Sequence, residues 1–330
     1  MSTFSSVTAA RLRFLPIGLV LAAGCGRDAE SPLPDAAADD ASADGGTAAL
    51  GGFVVSLVPA VLNAAGTETA PAHTSVLGKV YDGPLPATTV WTVIEDAGGC
   101  QLSTPAVPSC SPGCGGGAAC VEGGRCVAYP VAQSLGRVHV VGLGVAAFDM
   151  DAISGSYQPA ASVMLPFPPF QEGDVVRMTA PGGALGPISI DSRGITPLVF
   201  DQIAAPVVGQ PLELTWTPPD RPELGRIELK LDISHHGGAK GKIECNVADT
   251  GSFEIPQAQI TRLIGLGVAG YPTIVLARVA TGKAALPAGV VTLRVLSTVE
   301  RAVQIDGLRS CTADNQCPSG MTCQTDLTCK

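Results

Sequence analysis

The chain has 330 residues, of which 46 % are hydrophobic and 15 % charged. That is enough apolar material for real cores, so disorder throughout is excluded, and the length suits two domains of ordinary size. The formal charge of −9 repels phosphate backbones and argues against nucleic acid as a partner. The 40 glycines and 27 prolines favour many turns and short strands over long helices. Aromatic residues are only 4 %, which weakens a polysaccharide-binding reading because such sites stack sugars on rings.

Residues 1–25 read as an export signal. Arg11 and Arg13 form the basic start, and Phe14 to Ala23 is an apolar run too short to span a bilayer as a helix. The run ends in Ala22-Ala23-Gly24-Cys25, which resembles the lipobox of bacterial lipoproteins, with Leu21 one position earlier than is usual there. The resemblance implies that the Cys25 thiol takes a lipid and that the chain is anchored to a membrane through it. Gly26, rather than an Asp, follows the cysteine, and this points to the outer membrane, periplasmic or surface-exposed. Without Cys25 the cysteine count is ten, an even number that suits pairing in an oxidising compartment.

Residues 26–48 are acidic and poor in apolar bulk, with Asp28, Glu30, Asp35, Asp39, Asp40 and Asp44. Such a stretch cannot bury a core and is expected to be a disordered tether.

Beyond Ala49 the pattern is β. Phe53–Val58, Ser75–Tyr81, Val90–Ile94, Gly136–Val141, Val175–Met178 and Ile188–Ile190 read as strands of one domain over 49–204, with a Cys-rich insertion at 100–126. The clearest strand is Arg226–Ile233, where Ile227, Leu229, Leu231 and Ile233 face one way and Glu228, Lys230 and Asp232 the other. Lys242–Val247 and Val291–Val295 repeat the alternation, and a helix is expected only at Gln257–Gly265, after Pro256. The segment Leu212-Glu-Leu-Thr-Trp216-Thr-Pro-Pro219 followed by the 226–233 strand resembles the B and C strands of fibronectin type III and related Ig-like sandwiches. That likeness implies an inward Trp216 and a sandwich over 205–309.

Cys114, Cys120 and Cys126 recur at six-residue steps, as do Cys317, Cys323 and Cys329, and a Ser-Cys pair (Ser109-Cys110, Ser310-Cys311) opens each set. One small module is used twice, the second copy filling 310–330. Both copies resemble short EGF-like cysteine units. Four cysteines allow three pairings. First-to-third and second-to-fourth bridges suit short equal loops and match that resemblance, which implies Cys311–Cys323, Cys317–Cys329, Cys110–Cys120 and Cys114–Cys126. Cys100 and Cys245 are left over: they either bridge each other or stay as two free thiols, Cys245 lying on the apolar face of its strand. No CxxC pair occurs, so a zinc site is not expected.

Three stretches invite a chemical reading. Asp249-Thr-Gly-Ser252 resembles the active-site turn of aspartic proteases, whose chemistry needs two carboxylates sharing a proton. No second copy occurs, and an ordinary strand-ending turn, with a modest stability role for Asp249, is the plainer account. His235-His236, near Asp232 and Glu244, could suggest a metal, but neighbours on a strand face opposite ways, and Gly237-Gly238 makes a loop. Asp149-Met-Asp151 has the acidic start of a calcium loop without its remaining ligands. No Gly-x-Ser-x-Gly, phosphate-binding loop or dinucleotide fingerprint is present, so no cofactor is expected.

The expectation is a mainly β protein: two β-sandwich-like domains with two small disulfide-rich modules. The whole resembles Cys-rich lipoproteins of Gram-negative bacteria, which implies a membrane partner and an unidentified envelope protein or ligand, and no activity. The first functional reading is therefore a lipid-anchored cell-envelope protein with a non-enzymatic interaction or structural role, not an enzyme. The alternatives are a hydrolase using Asp249 and a soluble-ligand binder.

Overall fold

The computed structural model describes residues 48–63, 65–200 and 203–330, so the expected signal, Cys25 and nearly all of the expected tether lie outside it. The described chain is mainly β. The strands of its first part are β1 (Ala49–Val58), β2 (Val61–Leu62), β3 (Glu68–Ala70), β4 (His73–Val80), β5 (Val90–Ala97), β6 (Cys100–Ala106), β7 (Ala118–Val121), β8 (Arg125–Ala128), β9 (Val138–Val141), β10 (Phe148–Met150) and β11 (Ser156–Tyr157). Then come β12 (Val175–Ala180), β13 (Ile188–Arg193), β14 (Leu212–Thr215), β15 (Arg226–Asp232), β16 (Lys242–Ala248) and β17 (Ser252–Ile255). The helix α1 (Gln257–Gly265) follows, and the hairpin β18 (Thr273–Leu286) and β19 (Gly289–Ala302) completes the sheet strands.

One nine-stranded sheet organises the molecule, in the order β11-β4-β1-β19-β18-β15-β16-β6-β5. Its spine is the β18–β19 hairpin, fourteen residues in each strand. At about 3.3 Å per residue that hairpin is roughly 46 Å long, more than twice a usual strand. β1 and β4 flank the half nearest the hairpin turn, with β1 parallel to β19 and Phe53 opposite Leu293. β15 and β16 flank the other half, with Leu229 between Leu276 and Cys245.

Each half is covered by its own layer. A four-stranded sheet, β10-β9-β12-β13, covers the turn half and closes a core that includes Phe53, Val140, Met178, Ile190, Leu293 and Tyr157. Over the other half lie α1 and the β14–β17 pair, closing a core with Trp216, Leu229, Ile243, Ile260 and Leu276. The alternation of β13, β15 and β16 is the cause: every second residue is buried and, Ser192 of β13 apart, apolar, so each strand must find a cover for one face.

The two sandwich-like halves are present, but the boundary at 204/205 does not separate them. β1, from the first segment, pairs with β19 from the second, and β6 pairs with β16. Residues 205–309 therefore form no closed sandwich. The physical reason is the length of the β18–β19 hairpin: it is too long for one core, and each end recruits strands from the N-terminal part. Where the chain crosses between layers, Gly282 of β18 lies under β13. A Cβ there would sit 2.0 Å from the Asp191 carbonyl oxygen, so the approach demands glycine.

All ten cysteines among the described residues are bridged: Cys110–Cys120, Cys114–Cys126, Cys311–Cys323, Cys317–Cys329 and Cys100–Cys245. The last joins directly opposed residues of β6 and β16, 4.0 Å apart at Cα, and both are buried. It therefore ties two neighbouring strands of one sheet rather than two separate domains. The terminal module docks on the second half: Gly270 N donates to Asp326 O at 2.8 Å, Ser310 Oγ to Gly270 O at 2.5 Å, and Cys311 is fully buried.

Candidate functional site

The sequence points first to Asp249. It follows β16 and opens a turn in which Thr250 N donates to Ala248 O and Gly251 takes a positive φ of 91°. That is the strand-ending turn expected from Asp and Gly at these positions. The side chain, however, points into the seam between the two cores and is fully buried.

Its partners are Trp216 and Arg278. Trp216 Nε1 donates to Asp249 Oδ1 at 2.7 Å, which explains how an inward indole keeps its N–H satisfied. Arg278 Nε donates to Oδ2 at 2.5 Å and Nη2 to Oδ1 at 3.2 Å, a two-pronged grip. The rest of the guanidinium is also used. Nη1 donates to Thr196 O, Thr196 Oγ1 and Pro197 O, and Nη2 to Thr217 O at 2.7 Å. Those carbonyls belong to the segments that lead into and out of the second layer. Arg278 thus supplies hydrogen bonds to irregular backbone that the crossing buries. Ser192 Oγ donating to Ala280 O and Leu198 N donating to Ser297 Oγ, each at 3.0 Å, extend the polar seam along the spine.

This geometry does not offer a proton-sharing carboxylate pair. Among the described residues, no other carboxylate is hydrogen-bonded to Asp249. Glu172 lines the same crevice, but its two oxygens accept from the backbone N–H groups of Arg221 and Asp220, at 2.7 and 3.2 Å. The crevice has no room for a water-sized molecule.

The other sequence candidates are also engaged. Asp149 is hydrogen-bonded to His139 at 2.7 Å, and Asp151 accepts from Arg137 Nε at 3.1 Å, both on the outer face of the four-stranded sheet. His235 and His236 lie in the loop after β15, with ring centroids 3.9 Å apart; His235 is 3.9 Å from Asp232, and Gly237 packs against Ala269 and Gly270. The sulfurs of Cys110, Cys114 and Cys120 cluster, as do those of Cys311, Cys317 and Cys329, but each is already in a disulfide and is no thiolate ligand.

Sequence reasoning missed Arg278. The available signal was a single charge inside the apolar run Ile274-Val-Leu-Ala-Arg278-Val-Ala280, which demands a buried partner. It also missed an open hollow of about 650 Å³ on the four-stranded sheet side, lined by Gly142, Gly144, Pro166, Pro169, Phe170 and Asp174 among others. Three prolines and Phe170 are among the residues that line it, and Asp174 Oδ2 accepts from Gln171 N at 2.9 Å there. Comparison with family models and with curated proteins finds no match for this chain.

Proposed function

We propose that this chain is a lipid-anchored cell-envelope protein of the outer membrane with a non-enzymatic interaction or structural role. The observation that carries the reading is the cysteine pairing. The ten cysteines after Cys25 bond among themselves, so the chain offers Cys25 no disulfide partner. An unpaired cysteine at the end of an export-like signal fits a lipid-bearing one. The disulfides in turn fit an oxidising compartment. Asp249 weighs against the hydrolase alternative, because both its oxygens are held by Trp216 and Arg278 in a crevice closed to water.

The test is metabolic labelling with a fatty acid in an expressing Gram-negative host. The wild-type chain is expected to take up label and to fractionate with the outer membrane, and Cys25→Ser to lose the label and become soluble. Label retained by Cys25→Ser overturns the anchor. Acid-dependent peptide cleavage by the wild type that Asp249→Asn abolishes in a folded variant overturns the non-enzymatic role.

A second reading, a binder of soluble ligands, is favoured by the Pro-Phe hollow. NMR shifts confined to Gly142, Gly144, Phe170 and Gln171 on titration with a small-molecule panel support it, and no response across the panel removes it.

A further inference from the structure

We infer that the rim of the large sheet from which β1 starts is a bilayer-contact face, on which the folded part rests against a membrane containing anionic phospholipid. This inference rests on the lipid-anchor reading above.

The rim is built from neighbouring strand ends. Val290 N donates to Ala48 O, and Tyr81 N to Leu50 O, each at 2.8 Å. Tyr81 in turn pairs with Ala132, and Asp82 N donates to Val131 O at 3.1 Å. Gly155, in the turn before β11, packs on the Ala132 side chain. The hairpin turn at Pro287 and Ala288 adjoins Gly289, which lies against Ala48. Ala48, the first described residue, thus lies on the same rim that carries these loops.

Large apolar side chains stand free there. Val131 and Ile153 are each 63 % exposed and Tyr129 is 48 % exposed. Two lysines border them on the outer face of the sheet. Lys79 lies opposite Gly52, Gly52 opposite Thr292, and Thr292 opposite Lys283, so one row joins both. Lys79 Nζ is 5.5 Å from the Tyr81 ring centre, and among the described residues neither lysine is in an ion pair. Of the acidic groups nearby, Asp151 is paired with the Arg137 charge, and Asp82 keeps its charge while accepting from Val131 N and Gln133 Nε2. Aliphatic side chains, tyrosines and lysines in one band match the succession of acyl edge, headgroup and anionic surface at a bilayer.

Chain length selects the bilayer as occupant. Residues 26–47 separate Cys25 from Ala48, so even fully extended they hold this rim within about 80 Å of a lipid on Cys25. The opposite end of the spine, with Lys240 in the loop beside Asp232 and Thr273, is a further ~46 Å along the hairpin. Of the two ends, this rim is the one joined to Cys25 by the shorter covalent path.

The experiment uses the chain from Cys25 onward, coupled through the Cys25 thiol to a maleimide lipid in vesicles of phosphatidylethanolamine and phosphatidylglycerol. Lysine acetylation is read by peptide mass spectrometry on vesicles and in solution. Lys79 and Lys283 are expected to react several-fold more slowly on vesicles, with Lys240 unchanged. Val131→Asp combined with Ile153→Asp is expected to return both to their solution rates, with the disulfide map unchanged. Should that pair fail to fold, Lys283→Glu on its exposed site serves instead and is expected to relieve protection of Lys79. Equal rates with and without vesicles, or protection of Lys240 to the same extent, overturn the face. Because the coupling is chemical, this outcome is independent of whether cells lipidate Cys25, which the labelling experiment reads separately.

Discussion

Arg278 and Asp249 form an ion pair in the seam between two cores, with neither side chain more than 2 % exposed. The pair comes from distant parts of the sheet's sequence, β18 and the turn after β16, and the segment carrying Thr196 and Pro197 is laid across it. Burying two charges is costly, and it is tolerated here because nearly every polar atom of both groups has a partner.

Removing one member is therefore expected to be severe. Asp249→Ala leaves an uncompensated guanidinium and a bare Trp216 N–H, and is expected to lower stability by about 3–5 kcal/mol in urea unfolding. A turn role alone implies only a modest change, so burial alters the expectation. Arg278→Met with Asp249→Leu is expected to cost less than the two single changes summed. A loss under about 1 kcal/mol for Asp249→Ala would contradict a dry, buried pair.

Cys100–Cys245 closes a 145-residue separation between β6 and β16. Replacing both by alanine is expected to cost roughly 2–4 kcal/mol, chiefly by freeing the unfolded chain. Non-reduced peptide mapping checks the bond itself: a peptide holding Cys100 is expected to leave with one holding Cys245, and free thiols at these positions would exclude it.

Gly78 of β4 faces the Phe53 ring, and a Cβ added there would meet Phe53 Cδ1 at 2.3 Å. Phe53 cannot yield easily because it is fully buried and packs against Tyr157, ring centres 5.8 Å apart. Gly78→Ala is expected to destabilise by about 1–3 kcal/mol. Gly115→Ala, where a Cβ meets nothing within 4 Å, serves as the control and is expected to leave the urea midpoint unchanged.

Asp191 of β13 accepts from Arg177 Nε at 2.5 Å and Nη2 at 2.6 Å. That hydrogen bonding, aided by the charges of Arg177 and Arg193 and opposed by slight desolvation, holds its carboxyl below the usual value. A depressed carboxyl means that the folded state binds its proton less readily than the unfolded one. The stabilisation is present above the ordinary carboxylate range and disappears as pH falls through the folded value. Because both side chains are more than 40 % exposed, the effect is small and screened by salt. NMR titration of the Asp191 carboxyl is expected to show the low midpoint, and Arg177→Gln to raise it; an unchanged midpoint in the variant would refute the pairing.

Much of the fold was legible in local pattern. The alternation at 226–233 and 242–247 and the helix at 257–265 after Pro256 each follow from side-chain periodicity or a single breaker, which act within a few residues, whereas the inward Trp216 was implied by the resemblance to fibronectin-type sandwiches. The long strand β18 was not, and of β19 only Val291–Val295 was. β18 is rich in alanine, carries Arg278 inward, and is buried over much of both faces, so it lacks the alternation that marks a half-exposed strand.

The sequence by itself determined that this is a β-rich chain with regularly spaced cysteines, because composition, period-two patterning and cysteine spacing are local properties. Only the tertiary structure decided that the two halves share one sheet, that Asp249 is the locked partner of Arg278, and that β1 begins at the apolar, lysine-flanked rim. Those relations join residues tens to hundreds of positions apart. Their energy depends on which surfaces meet, on how a 14-residue hairpin is covered at each end, and on whether a buried charge finds its opposite, none of which a local pattern encodes.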